Sequence, residues 1–369
     1  MENDLAEKEG GDEPPPVDGD WRWQLKNRIR NVASLRKTFP EIGDTEGIEA
    51  ALHTFPMAIT PYYASLIKSL SYTDPVFAMS VPNRLETSET EDLSHDPLGE
   101  EHDTVAPGLV HRYEDRALLL STGKCAMYCR HCTRKRLAGR DERPISDADL
   151  EKAVDYIRRH PEIKDVVISG GDPLTLETKD IARIVSAVRS VQSVEIIRIG
   201  TRTPVTMPMR IDDELCDALE PFQPIWINTH FNHPCEMTRQ AADACRKLVR
   251  RGFPLGNQSV LLKGVNDNAE TMMELCRTLV RNMVRPYYLY QCDLVYGVEH
   301  FRTKVETGIS IMEKLRGRLS GLAIPLFVID APNGGGKIPV LPEYIKSFEN
   351  GVVKMKNFEG KDCEYRNPA

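Results

Sequence analysis

The feature that most constrains the fold of this chain is a regular alternation of short apolar runs with amphipathic segments, which begins near residue 116. Six of the runs have the length of buried strands, and the segments between them repeat apolar residues at helical spacing. The runs are residues 117–120, 165–169, 195–199, 225–229, 256–262 and 287–290. They predict an α/β protein whose parallel sheet forms an open or partial (βα)6 barrel. In such folds the loops that follow the strands carry the chemistry.

The helices between the runs can be placed from their caps and apolar spacing. Ser146 and Asp149 predict a capping box, after which Leu150, Val154 and Ile157 share one helical face. Further elements are predicted at residues 181–188, 236–251, 268–283 and 303–317 as helices and at residues 323–329 as a strand.

The predicted organisation has four parts. Residues 1–20 form an acidic tail, and residues 21–110 form a helical N-terminal region whose stretch 86–103 lacks periodicity and indicates an exposed linker. Residues 111–330 form the barrel core, and residues 331–369 form a C-terminal segment that starts with a glycine-rich loop.

The charge of the chain is concentrated at its start. Of a net charge of −7, residues 1–20 contribute eight acids and one lysine, which leaves 47 basic and 47 acidic residues elsewhere. This proline-rich start predicts a disordered tail, and the balanced remainder argues against nucleic acid as a partner. We find neither a signal peptide nor an apolar run that could span a bilayer, so we expect a cytoplasmic protein with no membrane partner.

Three of the nine cysteines lie within eight positions, at Cys125, Cys129 and Cys132. In a reducing compartment, such a group directly after a strand indicates metal or redox chemistry rather than disulfides. The spacing C-x3-C-x2-C favours thiolates that hold three irons of a four-iron cluster and leave the fourth iron open. The alternatives are chance clustering or a structural zinc with His131 as fourth ligand, although zinc usually takes ligands in paired spacings.

A second signal is the segment DAPNGGGKIP, residues 330–339. It is not a Walker loop, because Ile338 rather than Ser or Thr follows Lys337. Its three glycines allow the backbone to approach a phosphate, and a lysine at the end of such a loop can form a Schiff base with pyridoxal phosphate. A flexible surface loop is the alternative.

Together the two signals resemble a known family. The segment CAMYCRHCTRKRLAG resembles the radical S-adenosylmethionine superfamily, and its combination with DAPNGGGK resembles the lysine 2,3-aminomutases, isomerases that also use pyridoxal phosphate. The resemblance covers nearly the whole chain from about residue 21 and includes LVHRYEDRALLL, SGGDPL, YQCDL, EHFRT and NFEG. It implies a radical-SAM barrel with three cofactors: a [4Fe-4S] cluster on the three cysteines, S-adenosylmethionine and pyridoxal 5′-phosphate.

The resemblance implies which residues bind S-adenosylmethionine. His131 takes the position near the adenine, and Gly170, Gly171 and Asp172 match the motif that receives the methionyl amino group. This motif usually ends in Glu, so the Asp is a mild departure. Gln258 matches a further contact to the methionine part.

The resemblance also implies a site for pyridoxal phosphate. Lys337 forms the covalent link to the cofactor, and it is the expected catalytic residue. Arg112, Tyr113 and Arg116 are assigned to the pyridine hydroxyl and the phosphate. For any one of these three residues a surface ion pair is the alternative.

Three charged residues are expected to bind the substrate. The guanidinium of Arg134 suits a carboxylate, although a solvated basic face or an RNA patch is the alternative. Asp293 and Asp330 follow predicted strands, and two converging carboxylates repel unless a cation lies between them. The resemblance makes that cation the ε-ammonium of lysine, because related glutamate 2,3-aminomutases carry a basic residue and an amide instead. Two unrelated structural acids or a metal pair are the alternatives.

The implied activity is the interconversion of L-lysine and β-lysine by an adenosyl radical, with S-adenosylmethionine regenerated. The same reaction on glutamate or arginine is the nearest rival, and a non-enzymatic iron–sulfur or zinc module is another. The resemblance also implies a reductant such as flavodoxin or ferredoxin and a homo-oligomer, dimeric or tetrameric. The zinc that some relatives bind near their C-terminus is not expected, because only Cys363 lies there.

Overall fold

A computed structural model describes residues 20–88 and 90–368, so nearly all of the predicted acidic tail lies outside the described residues. The helices are α1 (Trp21–Lys26), α2 (Val32–Thr38), α3 (Thr45–Thr54), α4 (Pro61–Ala64), α5 (Pro75–Ser80), α6 (Asp147–Arg159), α7 (Thr178–Arg189), α8 (Thr203–Thr206), α9 (Asp213–Leu219), α10 (Arg239–Arg250), α11 (Ala269–Arg281) and α12 (Val305–Leu315). The strands are β1 (Thr104–Ala106), β2 (Leu109–Tyr113), β3 (Arg116–Thr122), β4 (Asp165–Gly170), β5 (Ile196–Gly200), β6 (Ile225–Thr229), β7 (Leu255–Leu261), β8 (Val284–Gln291), β9 (Leu326–Ala331), β10 (Gly336–Pro339), β11 (Ile345–Glu349), β12 (Val352–Lys356) and β13 (Asp362–Arg366).

The first ten strands form one sheet, and their order in it is their order in the chain. Strands β3 to β9 are all parallel, whereas β1 and β2 at one edge and β10 at the other run antiparallel to their neighbours. In the described residues the order is linear from β1 to β10, so the sheet stays open. The predicted parallel α/β sheet, arranged as an open barrel, is confirmed.

Alternation along each parallel strand separates the core from a central cavity, because successive side chains point to opposite faces. In β4, Val166 and Ile168 are buried in the main hydrophobic cluster, whereas Val167 and Ser169 line the cavity. The same division holds in β8, where Leu289 belongs to the core while its neighbours face the cavity. The strands therefore present polar groups inward without exposing the apolar core.

The helices that follow the strands bury one apolar face each, as the spacing predicts. In α6 the buried face includes Leu150, Val154 and Ile157. Ser146 caps this helix by accepting the N–H of Asp149 at 3.1 Å, but the Asp149 carboxylate accepts the Ser146 hydroxyl rather than closing the box on the backbone. Among the described residues, no helix has both the length and the apolarity that a membrane crossing requires.

Residues 86–103 depart in part from the predicted exposed linker, because several of them are buried while many others are exposed. Leu98 and Glu100 are buried, at 8% and 4% exposure, although the stretch is acidic. Glu100 tolerates burial because Arg134 and Arg136 pair with it at 2.6 and 3.2 Å. Those partners lie more than thirty residues away in the chain, so local periodicity carries no sign of them.

The C-terminal segment contributes to two sheets. β10 pairs with β9 as a hairpin, which brings Lys337 into the main sheet opposite Asp330. Strands β11 to β13 form a separate antiparallel sheet whose side chains are largely exposed, including Phe348 at 69% and Tyr365 at 60%. Only the first part of the segment thus reaches the cavity.

Candidate active site

A cavity of about 370 Å³ lies at the carboxyl ends of the parallel strands, as expected for such a sheet. All fifteen residues that the sequence analysis singled out as site residues line it. They are Arg112, Tyr113, Arg116, Cys125, Cys129, His131, Cys132, Arg134, Gly170, Gly171, Asp172, Gln258, Asp293, Asp330 and Lys337.

The three cysteines lie in the loop after β3, and all three are unbridged thiols. Burial raises the pKa of Cys125 well above its ordinary value, and the nearby Asp172, Cys132 and Cys129 add to the rise. Burial likewise raises the pKa of Cys132 to about 11. All three thiols line one cavity, and a metal that binds them must displace their protons.

Three thiols on one cavity suit an iron–sulfur cluster. In the part of the chain that the structure describes, no three His, Cys, Asp or Glu side chains converge as ligands of one metal ion. The three thiols line one cavity, as ligands of a cluster bound at its corners would.

The N-terminal region holds the cysteine loop in place. The N–H groups of Tyr128 and Arg130 donate to the carbonyls of Ala58 and Met79, each at 3.0 Å. The guanidinium of Arg130 is fully buried and pairs with Glu86 at 2.6 Å. The helices before the barrel therefore act as a scaffold for the loop.

The β4 strand ends at two glycines that pack against the start of the cysteine loop. A Cβ on Gly170 would lie 2.4 Å from the carbonyl oxygen of Thr122, and one on Gly171 would lie 2.3 Å from that of Lys124. Since both contacts are to backbone, no larger residue fits at either position without moving the loop. The glycines thus bring the backbone of β4 close to the cysteines.

Asp172 is engaged by the protein itself. Its carboxylate accepts the hydroxyl of Thr201 and the N–H of Arg202, each at 2.7 Å, and the N–H of Leu174 at 3.1 Å. It therefore ties the end of β4 to the end of β5. The resemblance predicts a contact between Asp172 and the methionyl amino group, and in this structure the Asp172 carboxylate braces the ends of β4 and β5.

His131 is buried with one ring nitrogen unused. Its Nε2 lies 3.3 Å from the side-chain nitrogen of Asn232, while Nδ1 makes no hydrogen bond within the described residues. Burial, together with Arg202 and His230, lowers the pKa of His131 well below its ordinary value, so the ring is neutral. A neutral ring with a free nitrogen suits a flat, uncharged heterocycle such as adenine. Gln258 lines the same cavity.

Lys337 enters the cavity from the β9–β10 hairpin. Its Nζ lies 2.7 Å from Oδ2 of Asp330, and its backbone N–H donates to the hydroxyl of Tyr113 at 3.1 Å. Gly336 has φ +79°, and a Cβ there would lie 3.2 Å from the Tyr113 oxygen. The glycine therefore permits the close approach that places the lysine amine inside the cavity, 5.7 Å from the ring of Tyr290.

Two arginines, Arg112 in β2 and Arg116 at the start of β3, are held by neighbouring acids. Arg112 pairs with Asp103 at 2.8 Å, and its guanidinium lies 4.0 Å from Asp330. Arg116 pairs with Asp115 at 2.9 Å and lies 4.7 Å from the centre of the Tyr113 ring. Cations and tyrosines therefore flank Lys337, an environment suited to a phosphorylated aromatic ring.

The two acids expected at the substrate each have one oxygen without a hydrogen bond. Asp293 accepts the hydroxyl of Thr133 on Oδ2 at 2.5 Å, and Asp330 accepts Lys337 on its own Oδ2. The remaining Oδ1 atoms are buried and make no hydrogen bond within the described residues, and that of Asp330 lies 4.0 Å from the Arg112 guanidinium. Two buried carboxylate oxygens without hydrogen bonds on one cavity could accept hydrogen bonds from an ammonium group.

Arg134 is paired in this structure. It makes a bidentate contact with Glu100, at 2.6 to 3.0 Å. Burial disfavours the charged form of Glu100, but Arg134 and Arg136 outweigh it and lower the pKa of this carboxyl to about 2. Arg134 is therefore oriented into the cavity by a buried acid.

Several residues that the sequence analysis missed belong to this site. Tyr288 and Tyr290 could have been found from their alternation in β8, which puts both on the cavity face. Arg202, which donates to the sulfur of Cys129 at 2.9 Å, and Thr133 give no local signal. Their roles arise from contacts that only the folded chain makes.

The parallel sheet with three thiols in the loop after its first strand, together with the match to the family model, identifies a radical S-adenosylmethionine enzyme. The model of the radical SAM superfamily matches residues 119–276, and the model described as lysine-2,3-aminomutase matches residues 312–369.

Relatives of similar length show to which family within this class the chain belongs. The chain is 49% identical over 350 residues to the L-lysine 2,3-aminomutase of Clostridium subterminale, covering 95% of this chain and 84% of that one. It is also 49% identical to the L-lysine 2,3-aminomutase of Fusobacterium nucleatum subsp. nucleatum, covering 95% and 82%. The glutamate 2,3-aminomutase of Clostridioides difficile is 44% identical, covering 93% and 82%. The chain belongs to the lysine 2,3-aminomutase family.

Proposed function

We propose that this protein interconverts L-lysine and β-lysine with a [4Fe-4S] cluster, S-adenosylmethionine and pyridoxal 5′-phosphate. The observation that carries the proposal is the pair of carboxylate oxygens without hydrogen bonds on Asp293 and Asp330, in the cavity that also holds Lys337 and the three cysteines. When bound, the cluster and S-adenosylmethionine supply an adenosyl radical that removes hydrogen from carbon, and pyridoxal phosphate holds an amino group.

The cysteine side of the cavity suits the first two cofactors. Cys125, Cys129 and Cys132 would hold three irons, which leaves one iron for S-adenosylmethionine. The free nitrogen of His131 and the backbone at Gly170 and Gly171 are available to the adenine and to the methionyl group. Because the Asp172 carboxylate is already used, we assign it to positioning this backbone.

The hairpin side suits pyridoxal phosphate. Lys337 supplies the amine, Arg112 and Arg116 supply positive charge, and Tyr113 and Tyr290 supply aromatic walls. Asp330 holds the free Lys337 amine at 2.7 Å, which keeps it in place whenever it is not bound to the cofactor. The acid therefore serves both the resident lysine and a second ammonium group.

The charges of the substrate site select a diamino acid. Asp293 and Asp330 would bind the side-chain ammonium, while Arg134 would bind the α-carboxylate. A glutamate side chain would place a third carboxylate beside these two acids, which is electrostatically unfavourable. Lysine is therefore favoured over glutamate although both reactions occur among the relatives.

We also propose a homo-oligomer, a dimer or tetramer, and a flavodoxin or ferredoxin as the reductant. The exposed apolar residues of the sheet β11–β13, such as Ile345 and Phe348, support a homo-oligomer because contact with a second subunit would remove them from water.

The test is anaerobic reconstitution with iron, sulfide, S-adenosylmethionine, pyridoxal phosphate and a reductant, followed by chromatography of the products. We expect β-lysine from L-lysine and little product from glutamate or arginine. The Lys337→Ala variant, reconstituted in the same way, is the control that shows whether turnover depends on bound pyridoxal phosphate. Turnover of glutamate in preference to lysine would overturn the substrate assignment, and no turnover of any amino acid would overturn the reaction.

A further inference from the structure

Arg202 places a buried positive charge on the cysteine loop. It follows β5 and is 7% exposed. One terminal nitrogen donates to the sulfur of Cys129 at 2.9 Å, and Nε donates to the carbonyl oxygen of His230 at 3.1 Å. Its backbone N–H donates a hydrogen bond to the Asp172 carboxylate. The guanidinium is thus fixed against one sulfur of the trio.

Glu236 fixes the other end of this guanidinium. It lies 2.6 Å from Arg202, and the same oxygen accepts the hydroxyl of Tyr63 at 2.7 Å. Its second oxygen accepts the N–H groups of Asn232 and His233, at 2.6 and 3.0 Å. Four donors therefore hold the carboxylate, which has no exposed surface.

We propose that Arg202 is a positioning residue that raises the reduction potential of the cluster on Cys125, Cys129 and Cys132, and that Glu236 limits this increase. The inference rests on the cluster part of the proposed function. Reduction adds one negative charge to the cluster, and a guanidinium that donates to a ligand sulfur stabilises that charge. A buried carboxylate behind the guanidinium opposes it, because interactions between charges weaken little across a dry interior.

The two residues therefore predict shifts of opposite sign. Arg202→Gln removes the positive charge and should make one-electron reduction at least tenfold less favourable. This corresponds to a reduction potential that is more negative by about 59 mV. Glu236→Gln leaves the arginine uncompensated and should move the potential in the positive direction. The double variant removes both charges and should give a potential between those of Arg202→Gln and the unmodified protein, because the arginine lies nearer the sulfur than the acid does. A purely structural role would not produce this pattern of signs.

The experiment is a potentiometric titration of each reconstituted protein, followed by the electron paramagnetic resonance of the reduced cluster. It omits lysine and pyridoxal phosphate, so its outcome is independent of aminomutase turnover. Arg189→Gln is the matched control, because Arg189 donates to backbone carbonyls of Phe222, Val194 and Pro224 and should leave the potential unchanged. Iron and sulfide contents are measured for every variant.

Two results would overturn the inference. The first is an unchanged potential in Arg202→Gln, and the second is a shift of the same sign in both single variants. If Arg202→Gln cannot hold a cluster, Glu236→Gln alone decides, since it keeps the arginine and must still raise the potential. If the unmodified protein assembles no four-iron cluster, the proposed function fails together with this inference.

Discussion

Lys337 and Asp330 face each other across the β9–β10 hairpin, with Nζ of the lysine 2.7 Å from Oδ2 of the acid. Asp330 is almost fully buried, whereas about a third of the lysine side chain is exposed to the cavity. The acid is therefore the fixed partner, and the lysine can leave it. A second ammonium that enters the cavity can take the place that Lys337 vacates, which connects cofactor binding to substrate binding.

Lys337→Ala should abolish covalent attachment of pyridoxal phosphate, because no other amine shares this position in the hairpin. The measurement is absorbance after borohydride reduction, which traps the link between lysine and cofactor. Lys346→Ala, a change at an exposed lysine paired with Asp362, is the control and should retain the adduct. An adduct of unchanged yield in Lys337→Ala would contradict the assigned role.

Replacing Cys125, Cys129 or Cys132 with Ala should prevent assembly of the four-iron cluster, because each supplies one of three ligands. Iron and sulfide analysis and the visible absorbance of the anaerobic protein measure this. Cys363→Ala, at an exposed cysteine in β13, should keep full iron and sulfide. A cluster of normal content in any of the three loop variants would remove that cysteine from the ligand set.

Much of the fold could be predicted from the sequence because strands and helices are encoded by local spacing. The observed β6, Ile225–Thr229, has the predicted bounds, and the other predicted strands differ by a few residues. The helices α8 and α9 were missed because they interrupt the strand–helix alternation. The burial of Glu100 was missed because a buried acid depends on partners such as Arg134, which local polarity does not reveal.

The candidate site, like the fold, could be predicted only in part from the sequence. The three cysteines and Lys337 could be identified because they lie in short sequence motifs whose spacing is typical of cofactor binding. The contact of Thr133 with Asp293 joins residues 160 positions apart, and that of Arg202 with Cys129 spans 73. Such pairs depend on how the strand ends converge, which a single sequence does not specify. The sequence therefore indicates which groups react, and the fold indicates what orients them.

Asp293→Asn should reduce kcat/KM for lysine by about 10- to 150-fold, which corresponds to the roughly 1.5–3 kcal/mol of a hydrogen bond to a charged group. The amide keeps the size of the side chain, so folding should change little. Steady-state kinetics and thermal unfolding measure the two effects separately. Asp362→Asn, at an exposed pair with Lys346, is the control. Equal kinetics in the two variants would dismiss Asp293 as a substrate ligand.

Turnover of lysine should also depend on the ionisation of Asp293. Burial raises the pKa of this carboxyl to about 6; the Thr133 hydroxyl opposes the rise and Asp330 adds to it. Below about pH 6 the group is protonated and no longer attracts an ammonium, so kcat/KM should fall as the pH decreases through this value. The profile of Asp293→Asn should lack this acidic limb. An identical limb in both proteins would assign it to another group.

The scaffold beneath the cysteine loop depends on one buried acid. Glu86 pairs with Arg130 at 2.6 Å and Lys135 at 3.2 Å, and all three side chains are at least nine-tenths buried. Glu86→Gln leaves two buried cations without their counterion and should reduce the free energy of unfolding by about 3–5 kcal/mol. Denaturant unfolding of the protein measures this loss.

Lowering the pH should reduce the free energy of unfolding as Glu86→Gln does. Burial works against ionisation of Glu86, but Arg130 and Lys135 outweigh it and hold its pKa below the ordinary value of 4.5. The stabilisation is therefore complete above about pH 4.5 and is lost as the pH falls through the lowered pKa. Glu349→Gln, at an exposed pair with Lys354, is the control and should unfold as the unmodified protein does. If Glu86→Gln matched that control, the loop would owe its position to contacts other than this ion pair.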